Sequence, residues 1–240
     1  MYTVNRNYFK VIDTEEKAYW LGFLYADGCI LESVKNGRVK AMNIELSLKY
    51  DDIKHLKKFL YCICSNAPIK KKKVKLNDKV YYACRVNICC TEMCRDLIKL
   101  GCTPRKSLTL KFPNEEQVPK HLLKHFIRGY FDGDGCISHG KHNIIYNNEY
   151  YTRCGFSGTK DILEGIHKYL DDFGLNRITH VHQSQAYEVM WGGKNNALKI
   201  YHALYDNATI YLDRKYEKFQ LAMLHYQVID SCKSDNIGEA

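Results

Sequence analysis

The chain has 240 residues, 45% of them hydrophobic, and carries 36 Lys and Arg against 27 Asp and Glu, a formal net charge of +9. That length buries a real core in one large or two small domains, and the basic excess argues for an anionic partner. The 11 cysteines include no Cys-x-x-Cys pair, and no signal peptide precedes them. Such a set argues against a zinc module or a secreted disulfide framework and fits reduced thiols.

In chain order, Asp13 is expected to cap a helix running to Asp27, with Glu16 completing a capping box. Residues 18–26 (AYWLGFLYA) are apolar all round, so this helix is buried, and it is too short to span a membrane. Strands at 29–34 and 41–48 flank Lys35-Asn36-Gly37-Arg38, in which Asn-Gly marks the turn. In the second strand Met42, Ile44, Leu46 and Leu48 alternate with Asn43, Glu45, Ser47 and Lys49, the pattern of a half-buried strand. A helix at 51–64 follows, then strands at 69–76 and 79–88 around Asn77-Asp78, then a helix at 91–100 stopped by Gly101 and Pro104. Residues 102–118 read as a linker between an N-terminal half, 1–101, and a C-terminal half, 119–240.

The order then repeats. Pro119 opens a second buried helix. Strands are expected at 136–146, 149–157, 177–183 and 186–191, with helices at 160–173, 194–206 and 209–226 and a frayed last dozen residues. Strand-rich halves with helices on one face make an α+β fold. The charge divides unevenly: residues 1–120 hold 23 basic against 13 acidic side chains, residues 121–240 hold 13 against 14.

The repeat is sharpest at residues 20–28 (WLGFLYADG) and 127–135 (IRGYFDGDG), which lie 107 residues apart and both continue Asp-Gly-Cys-Ile. Gly22 and Ala26 share one helix face, as do Gly129 and Gly133. Small residues at this spacing let two helix backbones approach closely, at the centre of a pseudo-dimer. Gly28 and Gly135 suit left-handed positions ending each helix. Asp27 and Asp134 would then emerge side by side at two helix C-termini, where they repel each other and attract cations. Hard oxygen donors of this kind suit Mg²⁺.

These two segments resemble the LAGLIDADG motifs of the homing endonuclease family in the glycine, the small residue and the acid-glycine ending. The first copy departs from the pattern with Tyr25 where the second keeps an acid, Asp132. The resemblance implies a pseudo-twofold pair of αββαββα half-domains, each with a four-stranded antiparallel sheet, together forming a DNA-binding saddle. It implies hydrolysis of both strands of a long asymmetric DNA site. Asp27 and Asp134, with the carbonyls of Ala26 and Gly133, would hold Mg²⁺ or Mn²⁺. It also implies a basic residue near each metal, for which Lys199 and, at the matching place in the first half, Arg95 are the candidates.

Antiparallel ribbons can enter the major groove of DNA. Lys71, Lys73 and Lys75 share a strand face. On the next strand Tyr81, Arg85 and Asn87 alternate with an apolar set, so both groups are expected to face DNA. Arg38 and Lys40 lie beside the first turn. Arg105-Lys106 and Arg214-Lys215 follow the third helix of each half and could clamp phosphates symmetrically. In the second half His139, Lys141, His180, His182 and Gln183 are candidates for base or phosphate contacts, since no carboxylate or cysteine at useful spacing makes the histidines a metal site.

The expected partner is double-stranded DNA, bound by a monomer and away from membranes. The same scaffold could instead serve as a maturase on intron RNA or as an inactive DNA-binding regulator. The chain is expected to work where it is made, in the cytoplasm of a bacterium or a phage- or virus-infected host or in an organellar matrix, and not to be secreted.

Overall fold

The computed structural model describes residues 2–141, 150–175 and 187–235. The first helix, α1 (Glu15–Asp27), starts one residue later than the capping-box reading placed it. Thr14 is the cap, its hydroxyl accepting from the Lys17 N–H, while the Asp13 carboxylate pairs with the Lys17 ammonium at 2.7 Å. Strands β1 (Gly28–Lys35) and β2 (Arg38–Lys49) follow, then a short 3₁₀ turn (Tyr50–Asp52) and α2 (Ile53–Cys62). Strands β3 (Lys70–Leu76) and β4 (Lys79–Cys89) lead to α3 (Thr91–Lys99). The turns are those the residues ask for: Asn36 and Gly37, and Asn77 and Asp78, all have positive φ, which Asn, Asp and Gly tolerate.

The second half repeats this order. A 3₁₀ turn capped by Pro119 (Lys120–Leu122) leads into α4 (Leu123–Asp134), so proline opens the turn before the helix and not the helix itself. Then come β5 (Gly135–Lys141), β6 (Tyr150–Gly158), α5 (Lys160–Asp171), β7 (Tyr187–Gly192), α6 (Lys194–Tyr205) and α7 (Asp213–Asp235). The last helix runs to Asp235, into the stretch expected to fray. The architecture is α+β in two helix-and-sheet halves. The first sheet has four antiparallel strands in the order β1-β2-β4-β3; the second has three among the described residues, β5-β6-β7. The strand expected at 177–183 lies outside the described residues.

Helices α1 and α4 pack against each other at the centre, and their small residues make that possible. A methyl added at Gly22 would come 1.9 Å from the Phe126 carbonyl oxygen, and one at Gly129 would come 1.9 Å from that of Tyr19. Gly133 is covered by the Ala26 methyl. Gly28 and Gly135 have φ of −77° and −81°, ordinary extended backbone, so they are not the left-handed caps expected of them. Each helix passes straight into its strand. Glycine is needed there because a side chain would strike Leu24 in one half and Phe131 in the other.

The helices cover one face of each sheet. In the first, Ile30, Ile44, Leu46, Leu48, Cys84, Val86 and Ile88 are buried against them. Segment 102–118 is packed and not a loose tether, with Cys102, Lys106, Leu110 and Val118 buried. Between the halves Lys58 reaches Asp213 at 2.6 Å and Arg214 reaches Asp52 at 2.9 Å.

Candidate active site and nucleic-acid interface

Each of the packed helices ends in an acid, and Asp27 and Asp134 both reach solvent there. The protein around Asp27 displaces enough water, and Asp134 lies close enough, to push its carboxyl up to about 6, against the opposing pull of Lys215, Lys106 and Arg214. Burial raises Asp134 as well, opposed by Lys106 and Lys215. An open cleft of about 780 Å³ reaches from Asp27, Gly133 and Arg214 to the outer residues of β2 and β4, among them Ser47 and Tyr81.

Two buried lysines stand beside the acids. The Lys106 ammonium donates to the Ala26 carbonyl at 3.2 Å. That of Lys215 donates to the Gly133 carbonyl, also at 3.2 Å, and to the carbonyls of Phe131 and Gly135. Burial brings Lys215 down to about 8, with Asp132 opposing the shift most strongly. Both lysines were expected to clamp phosphate on the surface, and both are instead folded inward onto the ends of the motif helices, 7% and 3% exposed. The expected pair lies elsewhere. Lys199 is exposed and donates to the Gly174 carbonyl at 2.9 Å, in the turn that follows α5. Arg95 is exposed on α3. The cations that act on the two acids are Lys215, Lys106 and Arg214 instead. The recurrence of Arg-Lys at 105–106 and 214–215 was the signal for this correction.

Asp132 is wholly buried. It accepts hydrogen bonds from the hydroxyls of Tyr19 at 2.7 Å and Tyr205 at 2.6 Å and from the Leu212 N–H at 2.7 Å. Tyr25 fills the matching place in the first half, and its hydroxyl donates to the Leu100 carbonyl. At position 25 a single internal hydrogen bond thus stands where Asp132 accepts three. Next to Asp132, the buried guanidinium of Arg128 meets Glu15 at 2.6 Å and the carbonyls of Leu204 and Ile210 at 2.9 Å.

No three His, Cys, Asp or Glu side chains converge on a common point among the described residues. What the two helix ends offer is one carboxylate and one backbone carbonyl each. Such a set suits a hard divalent cation that takes its remaining ligands from water and phosphate.

The face of each sheet turned away from the helices is open. In the first, the register pairs Ser47 with Arg85 and Glu45 with Asn87, and these four share the outer face with Asn43. It also pairs Lys70 with Arg85, Lys72 with Ala83 and Val74 with Tyr81. The outward lysines are therefore Lys70 and Lys72. Lys71, Lys73 and Lys75 oppose Cys84, Tyr82 and Val80 on the helix-side face, exposed because the hairpin overhangs the helices. Lys71 sits 4.4 Å over the Tyr50 ring and 4.2 Å over that of Tyr82, and Lys75 pairs with Asp78 at 3.4 Å. Tyr81, Arg85 and Asn87 face outward as expected.

At the far tip, the ladder shifts between Ser33 and Val34, leaving Lys40 as the extra residue of a bulge. The bulge brings Arg38 opposite Lys35, on the face that Leu31 and Ser33 share. Arg105 is exposed with a positive φ of 56°. Arg214 is committed to Asp52.

In the second sheet His139 opposes Thr152 on the helix side, its Nδ1 2.9 Å from the Thr152 hydroxyl and its ring near His225 of α7. It does not face outward. Lys141 opposes Tyr150 on that same side, 5.7 Å above its ring. The outer face carries Ser138, Arg153 and Ser157 instead. Arg153 could have been found from its alternation with buried Cys154 and Phe156. His180, His182 and Gln183 lie outside the described residues.

A family profile described as a LAGLIDADG-like domain matches residues 122–205, from the foot of α4 to the end of α6. No curated protein sequence matches the chain. Solved structures match along nearly its whole length. Meganuclease I-SmaMI bound to uncleavable DNA does so with a TM-score of 0.58 and 12% identity, over 88% of this chain and 90% of that one. The LAGLIDADG homing endonuclease I-GzeII, in complex with its DNA target, gives 0.58 and 11%, over 90% and 91%. LAGLIDADG meganuclease I-AabMI, bound to uncleaved DNA, gives 0.54 and 13%, over 91% and 92%. At such identities the likeness is one of fold.

Proposed function

We propose that this chain, which has the two-domain LAGLIDADG meganuclease fold, is a site-specific homing endonuclease that acts as a monomer and cuts both strands of an asymmetric DNA site. The observation that carries the reading is the pairing of each motif acid with a buried lysine. Lys106 is held on the carbonyl before Asp27 and Lys215 on the carbonyl before Asp134, and both lysines act on both acids. Residues 1–101 and 119–240 would each grip one half-site, and the open sheet faces would form the saddle that receives the duplex.

Asp27 and Asp134, with the carbonyls of Ala26 and Gly133, would hold Mg²⁺ or Mn²⁺. A divalent ion bound there supplies Lewis-acid stabilisation of phosphate charge and lowers the pKa of water. The chain's own contribution is positional. Close packing at Gly22 and Gly129 fixes the helix ends, and so sets the spacing of the acids to the two scissile phosphates. Lys106 and Lys215, held by backbone carbonyls, would set a positive charge beside each phosphate and orient the attacking water. Lys70, Lys72, Arg38 and Arg105 would contact phosphate, and Tyr81, Asn87 and Arg153 bases or backbone.

The test is selection of cleaved molecules from a randomised duplex library in Mg²⁺. Recovery of a preferred sequence, cut on both strands, supports the reading. Binding without a cut in either strand would leave a regulator in its place.

A further inference from the structure

Glu45 stands out on the open face of the first sheet. Its neighbours there are Asn43, Ser47, Arg85 and Asn87, and a carboxylate on a face that meets DNA repels every phosphate near it. It lies within the half that holds the basic excess. Its side chain is only 24% exposed, and it accepts from Arg85 Nη1 at 3.0 Å across the strands. Its position is therefore fixed, and it fixes the guanidinium in turn.

A guanidinium carries five N–H donors in a rigid fork. With Nη1 directed at Glu45, the Nη2 and Nε edge makes no hydrogen bond among the described residues and is left to donate elsewhere. Two parallel donors are what the O6 and N7 acceptors of guanine accept in the major groove. A free arginine on a DNA-binding face would bind phosphate as readily as a base. One tethered to a neighbouring carboxylate loses charge for phosphate and keeps its geometry for a base edge.

We infer that Arg85 and Glu45 form a guanine-reading unit, in which Glu45 is a positioning residue that trades affinity for specificity. The inference rests on the DNA-binding reading above and adds to it a base identity: one guanine in the half-site gripped by residues 1–101.

The test uses the full-length protein without divalent metal, so that DNA is bound and not cut. A preferred duplex is selected from a randomised library. Dissociation constants are then measured for every single-base change in it, and for an unrelated duplex. Wild type should demand guanine at one position of this half-site. Arg85→Lys should keep the salt dependence and lose the preference there by roughly tenfold or more.

Glu45→Gln should lose much of the same preference while binding the unrelated duplex more tightly, because a negative charge has left the interface. A merely structural role would weaken both together. Thermal melting of both variants confirms that they are folded. If Glu45→Gln keeps full discrimination, or if its specific and unspecific binding fall in parallel, the inference is overturned. A selected duplex with no guanine requirement in this half-site overturns it while leaving the endonuclease reading intact. Failure to select any preferred duplex overturns both.

Discussion

The ammonium of Lys215 lies 3.2 Å from the carbonyl of Gly133, the residue before Asp134, and Lys106 stands in the same relation to Ala26 before Asp27. In the proposed reading this symmetry, and not the exposed Lys199 or Arg95, is where cationic help for the reaction would come from. Lys106→Met and Lys215→Met should each lower double-strand cleavage by about 10²-fold or more, as removal of a preorganised charge does. Nicked product should accumulate with binding retained, and Lys199→Met should cleave normally. Strand-resolved gels decide it; equal loss in all three variants would move the role away from the buried pair.

The acids make a second prediction, on stability. Asp27 holds its proton up to about 6 when folded against 3.8 for the ordinary side chain. The folded state thus binds more protons between those values, and stability falls as pH rises through that window. Without divalent metal, Asp27→Asn should stabilise the protein at pH 8 and lose that advantage as pH falls toward 4. The gain should reach at most about 1 kcal/mol, because the carboxylate is open to solvent and screened. Denaturant titrations at the two pH values measure it. A variant less stable than wild type at pH 8 would contradict it.

Close packing of the motif helices predicts a steep penalty. Gly22→Ala puts a methyl 1.9 Å from the Phe126 carbonyl oxygen, so α1 and α4 must move apart. The cost should be about 3 kcal/mol. Gly140→Ala, where nothing lies within 4 Å, should change stability little. Urea unfolding of the two variants compares them directly, and equal midpoints would refute the packing argument.

Strand register predicts which lysines meet phosphate. Replacing Lys70 and Lys72 should flatten the dependence of log K on log salt by about 0.9 for each phosphate contact removed. Replacing Lys71 and Lys75, which lie on Tyr50 and Tyr82 and on Asp78, should flatten it less. The reverse ranking in a salt titration of binding would mean that the hairpin twists its other face to the DNA.

Much of this molecule was legible in its sequence. The twin motifs located the central helices, the acids and the two halves, and Asn36-Gly37 and Asn77-Asp78 located the turns, because those signals are local. What was not legible depends on packing. Four consecutive lysines give no parity of their own, so only pairing of Lys70 with Arg85 shows which of them face outward. Lys106 and Lys215 read as surface cations because lysine is seldom buried. The carbonyls that hold them come from helix ends 80 and 82 residues away in the chain. His139 read as outward for a similar reason, since the helix that covers it, α7, begins over 70 residues later.

The central claim is that two acids, one from each half, each serve one strand. Its most direct measurement is strand-resolved cleavage of the selected duplex in Mg²⁺ by Asp27→Asn, Asp134→Asn and the double variant. The account predicts that each single variant loses double-strand cleavage while still binding DNA, and that the double variant cuts neither strand. A double variant that still cuts both strands in Mg²⁺ would contradict it.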